Sequence, residues 1–190
     1  MNQFNTKTIT SKQTNVLSLT TTAMMTAILC ILAPISVPIG EVPISLATFA
    51  VYIAAHLLGT KRSLVCVMLY LLLGMVGVPV FASWSAGFNV MAGPTGGYLL
   101  GYLLIAFFTG WFTKLGKGRI PMILIGSILG TLGCYIIGTL WLGVQLSLSA
   151  KAALMAGVIP FIPGDLIKIV LSIGITLPIK KQLSTFIDKA

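Results

Sequence analysis

The chain has 190 residues, of which 57% are hydrophobic and only 8% are charged. Its mean hydropathy is +1.04, whereas about a quarter of the residues of an ordinary soluble domain are charged. This composition excludes a soluble globular protein and predicts an all-α integral membrane protein whose main solvent is the lipid bilayer. The net charge of +9 does not indicate nucleic-acid binding, because the basic residues lie in small clusters between apolar runs.

Apolar runs predict six transmembrane helices. A polar segment, residues 1–15, precedes them and is expected to be disordered or interfacial, while residues 16–190 are expected to form one six-helix transmembrane domain. A full crossing needs about 20 residues, so the second and sixth runs are short for one. The predicted spans are Val16–Ile35, Ile44–Gly59, Ser63–Val80, Thr95–Phe112, Ile120–Val144 and Gly164–Ile179.

The basic residues predict the orientation of these spans. Lys and Arg accumulate on the cytoplasmic side of membrane proteins. Ten of the twelve basic residues fall on one side of the predicted spans: Lys7, Lys12, Lys61, Arg62, Lys114, Lys117, Arg119, Lys180, Lys181 and Lys189. The other side has Lys151, and Lys168 lies within the last span. Both termini are therefore expected in the cytoplasm.

Asp165 and Lys168 interrupt the last apolar run. A charge at membrane depth costs at least about 2.5 kcal/mol, so such residues are functional candidates by default. Residues three apart share one face of a helix, and Pro160, Pro163 and Gly164 place Asp165 in the first helical turn, in the outer half of the bilayer. The pair predicts a polar binding site, and the alternative is a structural ion pair in which the two charges only neutralise each other.

The segment 81–98 lies on the same outer side and is too polar and glycine-rich for an ordinary span. Gly93 and Gly97 enclose a run that can bring backbone N–H groups close to a ligand, because glycine lacks a Cβ atom. Thr95 can cap the helix that follows. Taken alone, such a glycine-proline bend before a helix is also typical of a plain turn.

Side chains of this segment add possible contacts for a ligand. Asn89 offers a hydrogen-bond donor and an acceptor, while Trp84 and Tyr98 offer flat apolar faces. Irregular backbone at membrane depth is tolerated only where protein buries it or where it lines a cavity. Together with Asp165 and Lys168, the segment therefore predicts a substrate pocket near the outer surface.

Small residues form two further patterns. The glycine stripes Gly97/Gly101 and Gly126/Gly130/Gly138 predict close helix packing inside the bundle. In the first span, Ala23 and Ala27 have the spacing of a smooth helix face, which is compatible with a docking surface or with chance. The single histidine, His56, is expected to be a hydrogen-bonded core residue.

Residues 93–101 (GPTGGYLLG) and 160–168 (PFIPGDLIK) together resemble the two signature motifs of the biotin-specific substrate-binding subunits, or S components, of energy-coupling factor transporters. Residues 42–46 (VPISL) also fit this family. The resemblance covers nearly the whole chain from about residue 20. Ala47, where the family commonly has glutamine, and residues 83–86 (SWSA), which replace part of a glycine-rich loop, depart from its pattern.

This resemblance implies a six-helix S-component fold in a bacterial plasma membrane and biotin as the substrate. It also implies a transmembrane coupling (T) subunit and two ATPase (A) subunits as partners, with Ala23 and Ala27 docking against the coupling subunit. Asp165 and Asn89 can satisfy the donors and the acceptor of the biotin ureido ring, and Trp84 and Tyr98 can cover its apolar parts. The role of Lys168 stays open between binding the ligand and holding Asp165 ionised.

Sequence motifs of catalysis are missing, which predicts a non-enzyme without a cofactor or metal. The run Gly116-Lys117-Gly118 lacks the hydroxyl residue and the first glycine of an ATP-binding P-loop. No Ser-His-Asp set or pair of neighbouring carboxylates is predicted. The alternative function is a stand-alone secondary or proton-coupled permease for a small organic acid, although no inverted repeat is evident.

Overall fold

The computed structural model describes the backbone of residues 3–187 and the side chains of residues 16–181. Eight α-helices and one small hairpin are present in this part of the chain. A single 3₁₀ turn, Ala82–Trp84, lies in the longest connection. The elements in order are α1 Gln3–Leu32, β1 Ser36–Val37, β2 Ile44–Ser45, α2 Ala47–Leu58, α3 Thr60–Val76, α4 Phe88–Ala92, α5 Gly96–Leu115, α6 Ile120–Gln145, α7 Ala150–Gly157 and α8 Ile162–Ile187.

Each of the six predicted spans contains a long helix, but several ends differ. Helix α1 begins at Gln3, so the backbone of residues 3–15 is helical and continuous with the first predicted span. An interfacial location of this segment stays a prediction. No proline or glycine interrupts residues 3–32, which leaves nothing to break the helix. The side chains of Lys7 and Lys12, like Lys189, lie outside the part that the structure describes.

Three described helices are long and apolar enough to cross a membrane: α5, α6 and the Ile162–Lys181 part of α8. The Val16–Leu32 part of α1 and the whole of α2 are apolar but shorter. Helix α2 starts late because Ile44 and Ser45 pair with Val37 and Ser36 in the antiparallel hairpin. Length and composition therefore identify a membrane protein, and within the described residues three helices are long and apolar enough for a full crossing.

Helices α5 and α6 form the most extensive helix–helix contact in the fold. A Cβ atom on Gly97 would overlap the side chain of Trp141, and one on Gly101 would lie 2.6 Å from the sulfur of Cys134. From the other helix, a Cβ atom on Gly130 would approach the backbone of Ile105 to 2.8 Å. The expectation that the glycine stripes pack the bundle internally is confirmed, because only glycine permits these distances.

The close approach at Gly101 makes a stability prediction. We expect Gly101→Ala to lower the melting temperature of the detergent-solubilised protein, since the new methyl group would also lie 2.9 Å from the Cα atom of Cys134 and no side-chain rotation relieves that contact. Overpacking of this kind typically costs about 1–3 kcal/mol. Gly174 in α8 provides the matched control, because a methyl group added there would have no neighbour within 4 Å. Equal melting of the Gly101→Ala and Gly174→Ala variants would contradict the packing argument.

The two ends of the bundle differ in charge. Gly110, near the end of α5, touches the backbone of Thr60 at the start of α3, so exposed Lys61 and Lys114 lie at the same end. His56 is buried at 1% exposure between Ser127 and Thr176, which confirms its assignment as a hydrogen-bonded core residue. The hairpin and the start of α8, with Asp165, lie at the end of the bundle opposite Lys61 and Lys114.

Candidate functional site

Asp165 and Lys168 form a buried ion pair in the first turns of α8. Their charged atoms, Asp165 Oδ1 and Lys168 Nζ, are 3.0 Å apart, and less than one tenth of each residue is exposed. The prolines and the glycine before Asp165 bring the helix start to this point, and an acidic group in a first turn is favoured by the helix dipole. The sequence therefore predicted the position of the pair and the helix face that its two residues share.

The ammonium group of Lys168 uses its hydrogen-bonding capacity within the protein. It donates to the backbone carbonyl of Ser45 at 2.8 Å, to Thr48 Oγ1 at 3.1 Å and to Asp165. Because an ammonium group has three donors and no acceptor, these contacts satisfy all of it. In this arrangement Lys168 ties α8 to the hairpin and to α2.

The carboxylate of Asp165 is held by three helices. Thr48 of α2 donates to Oδ1 at 3.1 Å, in addition to Lys168 of α8. Tyr135 of α6 donates to Oδ2 at 2.7 Å. A carboxylate has about four acceptor positions, so Oδ2 retains the capacity to accept one more N–H group. The site is thus a fixed, negatively charged acceptor in an otherwise apolar bundle.

Two adjoining cavities lead from this acceptor toward the hairpin end. The inner cavity has a volume of about 40 Å³ and contains Asp165. The outer cavity has a volume of about 250 Å³ and extends to Phe81 and Ser85 of the long connection. Both cavities are lined by Val42, Pro43, Ser45, Tyr98 and Tyr102. A ligand could therefore place a polar group at Asp165 and an apolar body between aromatic rings.

Tyr98 lines both cavities. Its ring stacks on Phe161 with the centroids 6.5 Å apart. Its hydroxyl, however, donates to the carbonyl of Gly157 at 3.0 Å and lies 3.3 Å from Thr139 Oγ1. The phenol oxygen is therefore engaged in joining α5 to α6 and α7, and the ring is the part that can face a ligand.

The glycine-rich run is built differently from the expectation. Thr95 occupies the residue before α5, but its side chain makes no capping hydrogen bond, because its backbone is already in the helical region. The carbonyl of Gly93 accepts a hydrogen bond from the indole of Trp141 at 2.9 Å, and Gly97 packs against α6. Of these three residues, Thr95 lines the outer cavity and Gly97 serves the packing of α5 on α6. Contact of Gly93 and Gly97 with a ligand stays a prediction.

Asn89 and Trp84 are not brought together with the ion pair. Asn89 is exposed on the short helix α4, and Trp84 is 65% exposed beside the 3₁₀ turn. Neither residue lines the inner or the outer cavity. Trp84 and its neighbour Ser83 have positive φ angles of 59° and 57°. Their participation in a site stays a prediction.

Sequence reasoning missed four polar residues around the ion pair. Ser45 and Thr48 lie on either side of Ala47, a position that stands out in the sequence only as a departure from a family pattern. Tyr102 follows Tyr98 by one helical turn, a spacing that places both on one face. Tyr135 lies in a very apolar span, and its polar hydroxyl is the sequence feature that could have identified it as a site residue.

The BioY family model matches residues 5–185. The chain belongs to the BioY family. Curated relatives include "Biotin transporter BioY2" of Lactococcus lactis subsp. cremoris, 37% identical over 91% of this chain and 95% of the relative. "Biotin transporter BioY" of Thermotoga maritima is 37% identical over 83% of this chain and 92% of the relative.

A solved structure is similar throughout. It is described as the S-component for biotin from an ECF-type ABC transporter, and it superposes with a TM-score of 0.82 at 31% identity. The superposition covers 89% of this chain and 93% of that chain. The long helices of this BioY family member therefore have the arrangement of an S component, and the resemblance inferred from residues 93–101 and 160–168 is confirmed.

Proposed function

We propose that this chain is the substrate-binding subunit of an energy-coupling factor transporter and that it binds biotin. The observation that carries the proposal is the buried Asp165 carboxylate, which faces a cavity in a member of a family whose curated relatives are biotin transporters. The ureido ring of biotin presents two N–H groups and one carbonyl. The remaining acceptor capacity of Asp165 Oδ2 suits one of those N–H groups.

The outer cavity suits the rest of the ligand. The rings of Tyr98, Tyr102 and Phe81 give it aromatic walls, which complement a fused bicycle and a saturated chain. The valeryl carboxylate would then lie toward the hairpin end, where water can solvate it. Lys168 acts from behind Asp165 as its counter-ion, 3.0 Å away in a low-dielectric site.

Titration calorimetry of the purified protein in detergent, without partner subunits, tests this function. We expect saturable binding of biotin with one site per chain, because the cavity and its acceptor are formed within the chain itself. Thiamine, a vitamin of similar size without a ureido ring, serves as the control ligand. Absence of biotin binding by protein that still melts cooperatively would overturn the proposal.

The topology that we propose has six crossings of a bacterial plasma membrane, with both termini in the cytoplasm. Helices α1, α2, α3, α5, α6 and α8 are the crossing segments. The shared end of Lys61 and Lys114 supports a cytoplasmic face there, and the site then opens outward. Helix α2, which spans about 18 Å at 1.5 Å per residue, crosses together with the extended hairpin strand that precedes it.

Uphill transport requires partners that supply energy. We propose a transmembrane coupling subunit and two ATPase subunits, in keeping with the ECF-type transporter named for the similar structure. A stand-alone permease is the competing function. Biotin uptake into vesicles separates the two, since accumulation without ATPase subunits is expected only of the permease, and accumulation that requires them is expected of the S component.

A further inference from the structure

Tyr135 separates the ligand cavity from a cleft that opens toward the membrane. The cleft lies between α6 and α8, has a volume of about 190 Å³ and is lined mainly by aliphatic side chains such as Leu132 and Ile169. Tyr135, Thr131 and Asp165 line both this cleft and the inner cavity. The carboxylate therefore lies in a wall with the ligand site on one side and the apolar cleft on the other.

The wall depends strongly on one hydrogen bond. Helices α6 and α8 make few direct contacts, and the bond from the Tyr135 hydroxyl to Asp165 Oδ2, at 2.7 Å, is the polar link between them that the structure records in the described residues. Lys168 and Thr48 hold only Oδ1. Without the phenol, Oδ2 would border an apolar space without a protein donor, which is costly for a charged oxygen.

We propose that Tyr135 is a positioning residue for the ligand-binding carboxylate. Its hydroxyl satisfies one lone pair of Asp165 Oδ2 and orients the other toward the inner cavity, while its ring closes the membrane-facing side of the site. Tyr135 acts through Asp165 and needs no contact with the ligand. Only its consequence for biotin affinity rests on the proposed function, because the hydrogen bond itself exists without a ligand.

Infrared spectroscopy tests the hydrogen bond without a ligand. The chain has only two aspartates, Asp165 and Asp188, so ¹³C-labelled aspartate gives a simple carboxylate spectrum. We expect Tyr135→Phe to shift one carboxylate band, and the Asp165→Asn background to abolish that shift. Tyr52→Phe is the matched control, because this buried hydroxyl bonds Thr131 and not Asp165. An unchanged spectrum in Tyr135→Phe would overturn the proposal.

A double-mutant cycle tests the consequence for binding. We expect Tyr135→Phe to weaken biotin binding about tenfold in the wild-type background, the usual size of a hydrogen bond to a charged group. In the Asp165→Asn background we expect less than about a twofold effect, because coupled residues are non-additive. Equal weakening in both backgrounds would identify Tyr135 as a packing residue and overturn the positioning role.

The infrared and binding experiments distinguish failure of the positioning role of Tyr135 from failure of the proposed biotin-binding function. If the wild-type protein binds no biotin, the proposed function fails while the infrared result still decides the role of Tyr135. Tyr135→Phe removes a single oxygen atom from a partly exposed ring, so the fold is expected to persist. Loss of cooperative melting in Tyr135→Phe, with normal melting of Tyr52→Phe, would also overturn the proposal.

Discussion

Replacing Asp165 by asparagine is expected to weaken biotin binding by about tenfold or more. The substitution removes a charged acceptor in a water-poor site, where a hydrogen bond to a charged group contributes about 1.5–3 kcal/mol. An amide that keeps its oxygen near Lys168 and Thr48 would also place its NH₂ group at the position of Oδ2, facing the hydroxyl of Tyr135 and the ligand. Calorimetric titration with biotin measures the loss.

The same substitution should lower stability, for a different reason. Lys168 would remain buried at 9% exposure without a counter-charge, and breaking a buried ion pair from one side typically costs about 3–5 kcal/mol. Lys168→Met in the same chain removes the unpaired charge. We therefore expect the Asp165→Asn/Lys168→Met double variant to recover most of the melting temperature but not the affinity for biotin.

The double variant is what separates binding from folding in this experiment. Glu41→Gln is the matched control, since it also neutralises a carboxylate but at an exposed position of the hairpin connection; we expect its affinity and melting temperature to stay close to wild type. Wild-type affinity in Asp165→Asn would remove Asp165 from the site. Recovery of affinity together with stability in the double variant would show that Asp165 serves the fold alone.

The two members of the ion pair were predictable because charged residues are rare at membrane depth, where they are energetically costly. Asp165 and Lys168 stand out against their apolar run, and helical spacing alone brings them together. Their partners were not predictable in this way. Thr48 and Tyr135 come from α2 and α6, far from α8 in sequence, and the hydroxyl of a threonine in an apolar span is equally compatible with a backbone hydrogen bond to the preceding turn.

In the segment 81–98, the sequence predicted properties of single residues but not the neighbours that they contact. Its glycines were correctly recognised as positions of close approach, but the sequence does not say which neighbour approaches. Gly97 meets Trp141 of α6, and its contact with a ligand through the backbone stays a prediction. Exposed Asn89 and Trp84 were selected for their chemistry alone, and hydrogen-bonding capacity does not determine which way a loop side chain points.

Ala23→Trp and Ala27→Trp are each expected to abolish assembly with the proposed coupling subunit while leaving biotin binding unchanged. Both alanines are exposed on α1, and larger exposed side chains, Leu19 and Ile31, flank them on the same helix. Small residues bordered by large ones form a shallow groove into which a partner helix can pack closely. An indole would fill that groove and separate the two backbones.

The buried face of α1 explains why biotin binding should survive. Met25 and Leu29 point into the core, and α1 packs against α2 and α3, so the alanines can be enlarged without disturbing a helix contact within the chain. The measurement is co-purification with co-expressed coupling and ATPase subunits, alongside titration with biotin.

Ile136→Trp on α6 is the matched control for bulk. Ile136 is 61% exposed on a membrane-facing surface, so this variant adds an indole to the lipid-facing side without touching α1. We expect it to co-purify with the partners as the wild type does. Normal co-purification of both Ala23→Trp and Ala27→Trp with the partner subunits would contradict the proposal that α1 is the docking surface. Loss of assembly in Ala23→Trp and Ala27→Trp but not in Ile136→Trp, with intact biotin binding, would show that ligand binding and partner docking use two different surfaces of the bundle. The ligand would bind at the start of α8, and the partner would dock along α1.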